Sequence, residues 1–385
     1  MMRVLFIARY LQSINQKKIE LLSQQPGLTL WHLAPNRWQD AFNRYQLANE
    51  AKNSYVQIAQ PVLNAPDIHR FIYWPPPMLI RSFKPDVIHL EEEPESLVAL
   101  EINLLRRWLA PRSKLVLFTW QNLRRQLRRP VNTITRFNLQ AADGIICGNR
   151  DAAEVIRTHG FKGPTIILPQ LGIDPTDFAS PDRSAQRTKY RLNRFTVGYF
   201  GRLVEEKGIW LLLEALEHLS TIQLLFVGQG PLFTTLQAKS TETVWQDRLI
   251  LAGSLSHQAT AQTLSALDTL VLPSLTRPNW KEQFGHVLIE AMAGGIPIIG
   301  SNSGAIPEVV GAAGLIFPEG DVSALRTCVL RLQSDSALRA ELIAHGKVRV
   351  RDHYTHQHIA EQTYAFYQKL FASSAGPSSS RKDTS

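Results

Sequence analysis

Short apolar runs separated by amphipathic stretches set the rhythm of this chain. The first run, RVLFIA, is followed by a polar–apolar pattern of helical period through INQKKIELLSQ, and further runs stand at LTLWHLA, PDVIHLE, KLVLFTW, GIICGN and TIILPQ. Apolar runs of strand length alternating with helices predict a parallel sheet covered on both faces. Around LGIDPTDFASPDRSAQRTKYRLN the apolar pattern lapses and Pro, Asp and Ser accumulate, which predicts a linker over residues 176–193. The alternation then restarts with FTVGYFG, IQLLFVG, RLILAG, TLVLPS, IPIIGS and GLIFPEG. Turns at strand ends of this kind are where open α/β sheets bind ligands. The pattern therefore predicts an α/β protein of two Rossmann-like doubly wound domains facing a cleft, over residues 1–175 and 194–350. A closing helix is expected over residues 351–371, and the Ser-rich tail 372–385, which has no apolar content to pack, is expected to be disordered.

Composition agrees with a folded, two-domain chain. Of 385 residues, 44% are apolar and 19% charged, which leaves ample core and excludes a disordered protein. The longest nearly apolar runs, such as Leu288 to Gly300, fall short of the ~20 residues of a spanning helix. The opening MMRVLFIARYLQ carries a charge inside its apolar stretch and no small-residue cleavage pattern, so no signal peptide is expected and the expected location is cytoplasmic. Cys147 and Cys328 are too few for a disulfide framework or a metal knuckle, and fit small core residues in a reducing compartment.

The formal charge of +9 is unevenly spread: residues 101–140 hold nine Lys or Arg against one acid, centred on NLRRQLRRP. A nucleic-acid footprint, a docking patch for anionic lipid and a solvated face are the three readings. Few aromatics interleave and no nucleic-acid motif matches, so no nucleic-acid partner is expected. Two readings remain open: a merely solvated face, or a patch of Arg124, Arg125, Arg128 and Arg129 for an anionic membrane surface, which would make the protein peripheral at the inner face of the plasma membrane.

Chemistry concentrates in two segments of the second half. In KEQFGHVLIEAMAGG, Glu282 stands at the threshold of a helix and Glu290 inside it, with Gly285 between them. Carboxylates accept hydrogen bonds from paired sugar hydroxyls, and a helix N-terminus between them suits phosphate. A metal face from Glu282, His286 and Glu290 is the rival reading, but no second ligand cluster accompanies it and no metal is expected. In YFGRLVEEKGIW, Gly201 and Arg202 end a strand and Lys207 stands at the mouth of the next helix. Two cations there can neutralise a diphosphate without a metal.

Together these segments resemble the retaining glycosyltransferases of family 4, with the GT-B fold. The matching stretches are FGRLVEEKG, FVGQGP, AGSLSHQ, LVLPS, EQFGHVLIE, EAMAGGIPIIGSNSGAIPEVV and GLIFPEGD. LPQLGIDPTDF and the closing helix extend the likeness over roughly residues 165–371. The resemblance implies that Arg202 and Lys207 grip the donor diphosphate, that Glu282 touches the donor sugar and Glu290 the ribose, and that backbone at Phe284 and Gly285 meets sugar or phosphate. It implies a nucleotide diphosphate sugar as substrate and no further cofactor. The acceptor would be a glycan or a lipid-linked molecule, with bacterial surface polysaccharide as the substrate class.

The first half resembles the family in outline only. Its first strand leads into ARYLQSINQKK, without the Gly-rich loop many members carry, and Trp120-Gln121-Asn122 stands where many carry a histidine near the reacting sugar. Glu92 and Glu93, in HLEEEPESL, are expected with Trp120 and Asn122 on the acceptor side. A nucleotide-sugar epimerase or phosphorylase of the same fold, and a non-catalytic scaffold binding nucleotide-sugar or membrane, are the alternatives.

Overall fold

A computed structural model of the chain describes residues 1–39, 44–47, 54–178 and 182–372. The chain forms two compact units, Met1–Gly172 with the stretch from His356 onward, and Ile173–Thr355.

The first unit is built on a seven-stranded parallel sheet in the spatial order Thr165–Ile167, Gly144–Cys147, Lys114–Thr119, Val87–Leu90, Met2–Ile7, Leu28–Pro35, Val56–Gln60. Its central strands are buried along nearly their whole length, as continuous apolar runs demand when helices cover both faces. Two of its helices begin at side-chain caps: Ser96 Oγ accepts from Ala99 N at 3.2 Å to start Leu97–Leu109, and Asn149 Oδ1 from Ala152 N at 2.8 Å to start Arg150–Thr158. Sequence order reverses between Met2–Ile7 and Val87–Leu90, so this is the switch point of the sheet.

Side chains of the protein itself fill that switch point. Lys18, fully buried on helix Ser13–Ser23, pairs with the fully buried Glu91 and donates to the Gln170 carbonyl at 3.1 Å. Tyr10 Oη donates to the same carboxylate at 2.5 Å, and His89 Nε2 lies 3.5 Å from it. His89 Nδ1 meets Tyr367 Oη at 2.5 Å.

Tyr367 belongs to the closing helix His356–Ala372, which buries Ile359, Ala360, Phe366 and Leu370 in one cluster with Val4, Phe6, Ile19 and Leu22. The helix expected over 351–371 thus starts at His356 and completes the first unit, while residues 351–353 end the preceding helix Ser336–His353. Ala372 closes it, and the rest of the expected tail, 373–385, lies outside the described residues.

In the second unit six parallel strands stand in the order Leu249–Gly253, Ile222–Val227, Phe195–Phe200, Thr269–Leu272, Ile298–Ser301, Gly314–Phe317. This is the doubly wound order of a dinucleotide-binding sheet, reversing between Phe195–Phe200 and Thr269–Leu272. The segment expected as a linker, 176–193, differs from expectation. It carries the helix Arg183–Lys189 and is part of the second unit. None of that helix is buried. Arginines hold it instead: Arg183 reaches Asp268 Oδ1 at 2.7 Å and the Ser265 carbonyl at 2.7 Å, and Arg187 reaches Asp268 Oδ2 at 3.2 Å and the Arg194 carbonyl at 2.8 Å. Attachment by ion pairs leaves no apolar signature for a pattern to register.

Candidate active site

The segments leaving the two switch-point strands of the second unit carry the residues singled out in its sequence. Gly201 and Arg202 follow Phe195–Phe200, and one turn of 3-10 helix, Glu205–Lys207, folds the chain back before Ile209–Leu216. Gly208, at φ +71°, permits this, because a Cβ there would stand 1.9 Å from the Pro273 carbonyl oxygen. Leu275 N donates to the Glu206 carbonyl at 2.8 Å, so the two segments run side by side.

Beyond Thr269–Leu272 the chain passes through Ser274 and a loop to Glu282. Neighbouring strand ends pin that loop: Ser301 Oγ donates to the Ser274 carbonyl at 2.6 Å, and Thr276 N to Glu319 Oε2 at 2.6 Å. Gly304, at φ +53°, lies so close that a Cβ would be 2.0 Å from the Glu282 carbonyl, which accepts from Ala305 N at 3.0 Å.

These constraints join residues 75 positions apart in the chain. Lys207 Nζ donates to Glu282 Oε2 at 2.6 Å, Ser274 Oγ donates to the same oxygen at 2.8 Å, and the ammonium stands 4.9 Å from the centre of the Trp280 ring. The two charged side chains are 18% and 8% exposed, so little water screens the pair. Its ammonium keeps N–H groups beyond the one given to Glu282. Arg202 is exposed and makes no side-chain hydrogen bond or ion pair among the described residues, while its carbonyl accepts from Tyr199 Oη at 2.7 Å. Burial, and next the Glu282 charge, hold the Tyr199 phenol well above its ordinary range, with Arg202 acting in the opposite sense.

Phe284 is buried, its ring 5.6 Å from Tyr354, so its backbone is what it can offer a ligand. Gly285, at φ +80°, is the N-cap of helix His286–Ala293. Glu290, half-buried in that helix, makes no side-chain hydrogen bond or ion pair among the described residues. Burial pushes its carboxyl up and His257 works against that shift. Glu282 stands before the helix with its carboxylate on Lys207, and among the described residues no group of three or more His, Cys, Asp or Glu is placed to hold a metal ion. Ser274, Trp280 and Gly304 escaped the sequence reading. A lone tryptophan in a polar loop just before a carboxylate, and a glycine inside SNSGAIPE, are the signals that point to two of them.

In the first unit the structure commits both predicted acceptor-side carboxylates to internal partners. Glu92 takes Arg9 in a two-point contact at 2.6 and 3.1 Å, beneath which lie the Trp38 and Phe71 rings. Glu93 accepts from Thr119 Oγ1 at 2.6 Å and Trp120 N at 2.7 Å, and burial pushes its carboxyl up to about 8. Trp120 is half-buried, donates from Nε1 to Gln170 Oε1 at 3.1 Å and packs against Gly148, where a Cβ would stand 2.0 Å from its ring. Asn122 is buried. The cations described at this switch point, Lys18 and Arg9, are both paired with carboxylates, Glu91 and Glu92.

Residues 182–349 match the family described as glycosyl transferases group 1. Among curated proteins, a GDP-mannose-dependent monoacylated alpha-(1-6)-phosphatidylinositol monomannoside mannosyltransferase of Corynebacterium glutamicum is 32% identical over 52% of this chain and 55% of its own length. The amylovoran biosynthesis glycosyltransferase AmsK of Erwinia amylovora is 28% identical over 54% of this chain and 51% of its own. The chain thus spans about half the length of these relatives. Among solved structures, sucrose-phosphate synthase from Thermosynechococcus elongatus superposes over 97% of this chain and 100% of its own, with TM-score 0.73 and 21% identity. HepE of Anabaena in complex with UDP does so over 96% and 100%, with TM-score 0.71 and 17% identity. The likeness to glycosyl transferases group 1 thus covers residues 182–349, and the two Rossmann-like units have the fold of these GT-B structures.

Proposed function

We propose that the protein transfers a hexose from a nucleotide diphosphate donor to a glycan or lipid-linked acceptor, with retention of anomeric configuration, in bacterial surface or exopolysaccharide synthesis. The observation that carries this reading is the Lys207–Glu282 pair at the switch point of the second unit, with the exposed Arg202 on the adjoining turn. Arg202 and the remaining N–H groups of Lys207 meet the diphosphate and neutralise the charge that grows on it as it leaves. Glu282 orients the sugar hydroxyls, backbone at Phe284 and Gly285 faces sugar or phosphate at a helix N-terminus, and the unpaired Glu290 takes the ribose. Departure of the diphosphate is assisted from the face that the acceptor then attacks, so no protein nucleophile is required. A relative whose name includes GDP-mannose, and a neighbour solved with UDP-glucose, support a nucleotide-sugar donor. No helix among the described residues is long and apolar enough to cross a membrane. We place the protein in the cytoplasm.

Thermal denaturation with UDP-, GDP- and ADP-sugars tests the donor site. A donor at a hundred times its Kd adds about 2.7 kcal/mol of apparent stability, and transfer with the anomer of the product read by NMR then tests retention. Arg202→Ala should leave the ligand-free melting transition within about 0.5 kcal/mol of the parent, because the side chain is exposed and has no hydrogen-bond or ion-pair partner among the described residues. It should weaken handling of the donor roughly ten- to a hundred-fold, the worth of one charge-assisted hydrogen bond. Absence of any donor-dependent shift in the parent would remove the proposal.

A further inference from the structure

We propose that the outward face of helices Leu97–Leu109 and Arg129–Ala141 docks on an anionic lipid bilayer, with Trp108 and Leu104 entering the headgroup boundary and Arg107, Arg129 and Arg136 meeting lipid phosphates. The inference is independent of the transfer chemistry and places the basic patch on residues other than the loop arginines alone.

The inner side of Leu97–Leu109 buries Val98, Ala99, Ile102 and Asn103. Its outer side leaves Leu104 51% and Trp108 72% exposed, one turn apart, with Arg107 exposed beside them. On the neighbouring helix the exposed positions Arg129, Thr133, Arg136 and Gln140 recur at helical spacing along one stripe. Asn103 Nδ2 donates to Asn138 Oδ1 at 3.1 Å and the Arg107 guanidinium stands 5.3 Å from the centre of the Phe137 ring, so the two helices form one surface. No acidic residue occurs from 102 to 140, and Glu101 is half-buried, accepting from Tyr73 N at 2.9 Å. Arg125 and Arg128 are exposed in the adjoining loop, where Arg124 lies 3.7 Å from Glu154.

The mixture of groups selects the partner. Arginine forks match phosphate oxygens, and tryptophan settles at the boundary between headgroup and acyl chain. Nucleic acid would satisfy the arginines and leave Trp108 and Leu104 facing water. A second copy of the chain, meeting this face across a two-fold axis, would set arginine against arginine.

The test is co-sedimentation of the full chain with vesicles of phosphatidylcholine alone and with added phosphatidylglycerol, at low and high salt. Binding to the anionic vesicles is expected at low salt and should fall as salt rises. Each arginine contributes about five-fold, so Arg107→Ser/Arg129→Ser/Arg136→Ser should weaken binding about a hundred-fold. Trp108→Ala should weaken it about ten-fold with the salt dependence retained, and Trp108→Phe should recover part of that loss. Because these side chains are exposed, unchanged melting curves are expected in every variant. The proposal is overturned if the parent ignores anionic vesicles, or if both variants sediment like the parent. It is equally overturned if the face instead supports duplex DNA binding or self-association in protein that does not bind vesicles.

Discussion

Lys207→Ala and Glu282→Gln are each expected to lower turnover with a working donor on the order of a hundred- to a thousand-fold, the range for loss of one preorganised group at a developing charge. Combining them should be little worse than the worse single change. Sequence alone treats the two residues as separate contacts, one to phosphate and one to sugar. In the structure they are one unit, since Glu282 Oε2 accepts from both Lys207 Nζ at 2.6 Å and Ser274 Oγ at 2.8 Å. Removing either partner therefore misplaces the other, and a double-mutant cycle should give a coupling of about 1–3 kcal/mol. Stability separates this lysine from Arg202. Lys207→Ala strands a nearly buried carboxylate and should lose about 2–3 kcal/mol, somewhat under the roughly 3–5 kcal/mol of a fully buried broken pair because the lysine keeps some solvent. Glu282→Gln keeps acceptor and shape and should lose less. Steady-state kinetics and melting curves of the four proteins decide the matter. Independent, additive losses would show that the pair is not a functional unit, and parent-like rates would take the diphosphate out of this turn.

The parts of the fold legible in the sequence are those written in apolar period. Six strands of each sheet follow apolar runs, the inner ones such as FTVGYF and KLVLFT buried along nearly their whole length. The seventh strand of the first sheet, Val56–Gln60, was not legible: it lies at the edge, with Val56 exposed and two glutamines among its five residues. The polar helix Arg183–Lys189 was hidden for a related reason, being held through Asp268 and backbone carbonyls. Of the residues expected at the site, the placement of Gly201, Arg202, Lys207 and Glu282 beyond the switch-point strands, and of Gly285 and Glu290 on the helix that follows, was legible because the strand ends are written in the apolar period. What no spacing could supply was the pairing of Lys207 with Glu282, which depends on Gly208 and Gly304 letting backbone pass within contact distance. Nor could it supply the internal commitment of Glu92 to Arg9, because an acidic cluster reads the same whether its partners are ligand hydroxyls or a distant arginine.

The first unit carries the other large effect. Lys18→Met should destabilise it by about 3–5 kcal/mol, since it leaves Glu91 fully buried with its cation gone. The Tyr10 hydroxyl, at 2.5 Å, donates to the same carboxylate but carries no compensating charge. The pH dependence of this cluster lies in His89. Burial, and next the Lys18 charge, hold His89 well below its ordinary value of about 6.5, so the folded unit keeps the ring neutral while the unfolded chain protonates it. Stability from His89 is fully present above that unfolded value and is lost as pH falls toward the depressed folded one, by up to about 1.4 kcal/mol per pH unit. Denaturant titrations should show the parent losing stability below pH ~6.5, a shallower loss in Lys18→Met because one of the two causes that depress His89 is gone, and much of the stability recovered in Lys18→Met/Glu91→Gln. Equal slopes would mean that the Lys18 charge does not act on His89, and a variant as stable as the parent would mean that the pair contributes no net stability to the switch point it fills.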